Sequence, residues 1–211
     1  MAVITSDQVN SRTTAEAAGE VMHALNARYG ERLPLPVDRN AGDELQVLVT
    51  DGATAVRMIL DFARDGRWRI GVGFGSVRRP LPASTREAGG GAFIAARTAV
   101  GSARTRPTRF AAGADRLELA NDVADFQAIM DTLLLLHSQR TEKGWQLYDL
   151  LSTGMTQLEA AHRIGVSPQA VSARAAAADL WVDSPAEAAL ARIIDRIERS
   201  IDDDRQSAPG L

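Results

Sequence analysis

Cysteine is absent from the 211 residues. That excludes disulfides and thiolate metal sites, and it fits a cytosolic protein. Histidine is scarce: the three, His23, His137 and His162, are scattered, so no histidine metal cluster is expected. An excess of positive charge is missing too. The net charge of −3 and a pI near 5.7 argue against coating nucleic acid by bulk charge. Long apolar runs are missing: Leu133–Leu136 falls far short of the roughly 20 residues of a membrane span. No leader segment is read and no internal repeat is found, so a cytoplasmic protein with no membrane partner is expected. What is present is an apolar share of 45%, enough to build a core in one large domain or two small ones.

The most informative stretch runs from Met155 to Trp181. Thr156 and Glu159 have the spacing of a capping box at the start of a helix. Leu158, Ala161 and Ile164 line one face of it. Gly165 supplies a left-handed turn residue, and Val166 is expected as a buried plug. Ser167 then caps a second helix with Pro168 at its first position. Val171 and Ala175 face inward, leaving Ser167, Gln169, Ala170, Ser172, Ala173 and Arg174 outward. Short polar side chains at that end of a second helix suit a DNA major groove. The stretch resembles the helix-turn-helix of sigma-factor region 4, LuxR and MarR-like regulators. The alternative is a helical hairpin that only packs or dimerises. Charge favours the alternative: residues 141–183 hold Lys143, Arg163 and Arg174 against Glu142, Asp149, Glu159, Asp179 and Asp183. A head of that charge binds phosphate weakly alone and needs a dimer or basic neighbours.

Along the rest of the chain, Ala2–Thr5 reads as a short strand ending at Ser6-Asp7. Residues 14–29 have helical spacing, with Thr14 as cap. Residues 33–38 are a strand candidate weakened by Pro34 and Pro36, residues 39–43 a turn, and residues 44–50 a strand. Residues 53–64 read as a helix and 68–77 as a glycine-rich central strand. Residues 90–103 are a helix, 109–112 a strand and 122–140 a long helix. Residues 186–201 form a last amphipathic helix whose stripe of Leu190, Ile193, Ile194, Ile197 and Ile201 is either core or a dimer seam. Gly71, Gly73 and Gly75 are read as sites of close backbone approach rather than a dinucleotide fingerprint, because Pro80 and Pro82 follow where a helix is needed.

The order up to Val77 is that of a split βαβ, ferredoxin-like plan. It brings Asp7 and Asp43 to adjacent strand ends, where two carboxylates hold Mg²⁺ or Mn²⁺ on nucleotide phosphates. Turn and cap roles are the alternative for both. Residues 3–7, the Gly42-Asp43-Glu44 hairpin, residues 69–75 and the glycine-led helix of residues 90–97 resemble, in that order, the nucleotide-cyclase and diguanylate-cyclase palm superfamily. With Ser11-Arg12 they resemble SatD-type proteins, which often add a C-terminal helix-turn-helix. The resemblance implies metal at Asp7 and Asp43 and nucleotide contacts from Arg12 and Arg97. Phe93 stands where an active cyclase carries Asn, and the purine-selecting pair is not identifiable. Such a pocket suits binding more than turnover.

The expected fold class is therefore α+β: a ferredoxin-like βαββαβ palm over residues 1–120 and an all-α C-terminal helix-turn-helix over 141–183. A connector helix spans 121–140, an amphipathic helix 184–203 and a flexible tail 204–211. The expected function is a homodimeric DNA-binding regulator with a nucleotide-sensing domain and double-stranded DNA as partner. The rivals are a nucleotide cyclase or nucleotidyl transferase tethered by its helix-turn-helix, a protein-interaction module, and a palm that serves only as a dimerisation platform. The arginines at 78, 79, 86, 104, 106 and 109 are either a solvated face or auxiliary phosphate contacts.

Overall fold

A computed structural model describes residues 1–9, 15–40 and 42–207. Thr14 and Arg12 lie outside the described residues, so neither the expected cap nor the expected nucleotide contact is located. The chain is α+β, a mixed sheet with helices on both faces and a helical head. The strands are β1 (Ala2–Gln8), β2 (Asp38–Arg39), β3 (Leu45–Val49), β4 (Trp68–Phe74) and β5 (Phe110–Ala114), in the order β2-β3-β1-β4-β5. β1 is antiparallel to both β3 and β4, while β5 joins β4 in parallel.

Strand side chains alternate between faces, and both faces are covered. Ile4, Val47, Val49, Ile70, Val72 and Phe74 enter the larger core. Over that face lie α1 (Ala15–Tyr29), α2 (Gly52–Asp65), α4 (Ala120–Gln139) and α8 (Leu180–Ser207). Val3 and Leu48 point the other way, under α3 (Gly91–Ser102). β4 presents glycine to α3. A Cβ on Gly71 would lie 2.4 Å from the Ala96 carbonyl oxygen, and one on Gly73 would lie 2.1 Å from that of Ala92. The close-approach reading of these two glycines is therefore the correct one.

The structure corrects several boundaries. β1 continues through Ser6 and Asp7 to Gln8, because β4 pairs with it that far. Of residues 33–38 only Asp38 is in a strand, and Arg39, expected in a turn, is its partner in β2; the two prolines leave no ladder for the rest. β4 ends at Phe74, before Val77. α4 is not a bare connector, since Phe126, Met130, Leu133 and Leu134 lie in the larger core. α8 starts at Leu180 and runs unbroken past Asp183, so the expected boundary at 183/184 falls inside one helix. It continues to Ser207, so residues 204–207, expected as tail, are helical, and residues 208–211 lie outside the described residues. Leu190, Ile193, Ile194, Ile197 and Ile201 are buried in the sheet core, which decides between core and seam.

The head consists of α5 (Glu142–Ser152), α6 (Gln157–Ile164) and α7 (Pro168–Ala177), closed by the first turn of α8. Its small core is Leu147, Ala160, Ala161, Val171 and Ala175.

Candidate functional site

The segment between α6 and α7 forms through the local chemistry expected of it. Thr156 accepts from the Glu159 backbone N–H at 3.2 Å, and the Glu159 carboxylate accepts from the Thr156 N–H at 2.7 Å. Those bonds hold the Glu159 carboxyl below its usual range. Gly165 ends α6 at φ 69°, in the left-handed region. Ser167 accepts from the Ala170 N–H at 3.2 Å, with Pro168 opening α7. Two details differ. Leu158 is 55% exposed and Ala160 takes the inward position beside Ala161. Val166 is only partly buried, at the edge of the head core.

α7 presents one open face. Ser167, Gln169, Ala170, Ser172 and Ala173 are exposed. Arg174 is half-buried and donates to the Gln146 side chain at 3.4 Å. Val171 and Ala175 face inward as expected. The charge balance of the head changes once its ion pairs are counted. Asp149 is bound by both terminal nitrogens of Arg64, at 2.5 and 2.8 Å. Asp183 is bound by Arg140 at 2.9 Å. Both arginines come from outside residues 141–183. Three acids then remain at the head surface, Glu142, Glu159 and Asp179, against Lys143, Arg163 and Arg174. Lys143 and Arg163 have no side-chain partner among the described residues. The head surface is thus balanced rather than acidic.

The second expected site lies on the α3 side of the sheet. Asp7 sits between Arg69 at 3.2 Å and Arg104 at 3.5 Å. Asp43 lies two residues beyond the last β1–β3 pair, Ser6 opposite Leu45, and its Oδ2 is buried without a partner. No group of three metal-ligating side chains occurs among the described residues. Arg97 binds Glu44 at 3.2 Å and is exposed, pointing outward as a snorkelling arginine does. Phe93 is buried with Val3 and Leu48 in the smaller core.

Beside this row, an open cleft of about 450 Å³ is lined by Asn40, Gln46, Arg78, Gly90 and Arg97, with Arg86 at its edge. Arg86 lies 3.7 Å from Asp38, and the Arg78 side chain has no partner among the described residues. Of the other clustered arginines, Arg106 is paired with Asp131 and Arg109 donates to the Gly66 carbonyl at 2.7 Å. Those two arginines are therefore engaged within the fold.

Sequence reasoning did not reach the joint between head and sheet. Arg140, at the end of α4, is 8% exposed, and its Nε donates to the Ala178 carbonyl at 3.2 Å. His137 Nε2 lies 2.6 Å from the same Asp183 carboxylate. Two cations lie over the Trp145 ring of α5, with Arg64 4.4 Å and Arg140 4.7 Å from its centroid. Nothing in the spacing of these residues along the chain announces the cluster. No protein-family model matches this chain, and no curated protein does either.

Proposed function

We propose that the chain is a DNA-binding transcriptional regulator. In this reading α6 and α7 are a helix-turn-helix, and α7 lies in the major groove with Gln169, Ser172 and Arg174 at base edges or phosphates. The observation that carries it is the run of cap, left-handed glycine and second cap leading into a helix with an open face of short polar side chains. The balanced head surface supports it too, because the two most damaging acids are neutralised from outside. Phosphate affinity still rests on few cations, so the protein acts as a homodimer. The stripe of α8 is spent on the core, and the seam lies elsewhere.

The sheet domain, in this reading, is a ferredoxin-like palm related to that of SatD-type proteins, and it senses a nucleotide. Arg78, Arg86 and Arg97 beside the open cleft are the groups that would meet its phosphates, with Arg12 as a further contact. Mg²⁺ or Mn²⁺ at Asp7 and Asp43 would compete with Arg69 and Arg104, which favours binding over turnover. The test of the central reading is a gel shift on genomic fragments. The triple variant Q169A/S172A/R174A should lose sequence preference while keeping the melting temperature of the parent. Equal preference in parent and variant removes α7 from the interface.

A further inference from the structure

A cleft of about 380 Å³ that the DNA and nucleotide readings leave unassigned lies between the sheet domain and the head. Its walls come from α1 and α2 on one side and α5 and α8 on the other, the kind of junction where small-molecule sites concentrate. Most charges in it are already matched. Asp61 accepts from Arg28 at 2.9 Å and from the Tyr29 hydroxyl at 2.6 Å. Asp149 is held by Arg64 and Asp183 by Arg140.

Two groups are left over. Arg57 is exposed and has no hydrogen-bond or ion-pair partner among the described residues. Glu187 has only a neutral partner, the Tyr148 hydroxyl at 3.2 Å. Burial raises the Glu187 carboxyl above its ordinary range, the nearby Asp183 adds to this, and Arg57 partly offsets it. Burial and the same carboxylate raise the Tyr148 hydroxyl as well. Perturbed groups gathered in one cleft mark a binding site more often than a plain surface does. The unmatched cation and the unmatched acid line the same cleft, yet form no ion pair.

We propose that this cleft binds a small zwitterion of the free α-amino-acid kind, its carboxylate on Arg57 and its ammonium on Glu187. The ligand completes both charges at once, which neither a simple anion nor a simple amine does. Because it touches helices of both units, it would favour one placement of the head on the sheet domain.

The test is calorimetry on the full chain with free α-amino acids titrated one at a time, and with acetate, ethylamine and inorganic phosphate as single-charge probes. The expected result is binding of at least one amino acid and none of the single-charge probes. Arg57→Met and Glu187→Gln should each weaken it by about tenfold. The Arg57 side chain makes no hydrogen bond or ion pair among the described residues, and glutamine keeps an acceptor for Tyr148, so both variants should melt with the parent. Absence of heat for every amino acid overturns the proposal. So does unchanged affinity in both variants, or phosphate binding in place of amino acids. The readout is ligand binding alone, so it stands or falls separately from the DNA reading.

Discussion

Gly73 has a carbonyl oxygen where any other residue would place its Cβ. That oxygen belongs to the backbone of α3, so it cannot swing aside as a side chain does. Gly73→Ala should destabilise the protein by about 1–3 kcal/mol or more, as overpacking does, and denaturant unfolding measures it. Gly101, with nothing within 4 Å, is the matched control. Glu198 makes a prediction of a different kind. Burial lifts its carboxyl to about 7, with Asp195 and Asp202 adding to the effect and the nearby N-terminal ammonium opposing it. A carboxyl whose folded pKa is raised stabilises the fold below its unfolded value near 4.5, and that stabilisation is lost as pH rises through about 7. Glu198→Gln should therefore make stability less dependent on pH between these values and raise it on the alkaline side. Melting curves across that window check it; an unchanged slope contradicts the assignment.

Among the elements, α6 and α7 were legible because their signals are local. Thr156, Glu159, Gly165, Ser167 and Pro168 each act on backbone groups within a few residues, so spacing alone locates them. β1, β3 and β4 were legible as strands from apolar runs and glycines, although strand ends were not, since a neighbour's length sets them. α8 was misread for a physical reason. Asp183-Ser184-Pro185 has the look of a turn, but the turn sits earlier, at Asp179 with φ 51°, and Pro185 is carried inside the helix. Its stripe was visible, its destination was not, because packing against α2 and the sheet is a long-range fact. Ile197 is fully buried there. Ile197→Ala should cost about 2–5 kcal/mol and leave the oligomeric state unchanged. A change in oligomeric state, read by light scattering without comparable loss of stability, would make the stripe a seam after all.

The two units of the molecule are joined by α8, by a buried charge cluster and by Arg64, which reaches Asp149 and Trp145 of the head. α8 runs from the head core at Leu180 to the sheet core at Ile201. Asp183 on it gathers Arg140 and His137 from the α4 end, so the head cannot turn on the sheet without breaking a buried ion pair. None of the partners in the Arg140–Asp183 joint was legible as such, because their pairing exists only once α4 and α8 lie side by side. The same holds for the candidate sites. The α7 face followed from sequence, while the arginines holding Asp7 required the register of β1 against β4 to be known. The central claim, that α7 reads DNA, has one direct measurement: selection of fragments bound by the full chain from genomic DNA. The account predicts enrichment of a palindromic sequence with half-sites about one helical turn apart, lost in the Q169A/S172A/R174A variant. A pool with no enriched sequence, or the same enrichment with the variant, would contradict it.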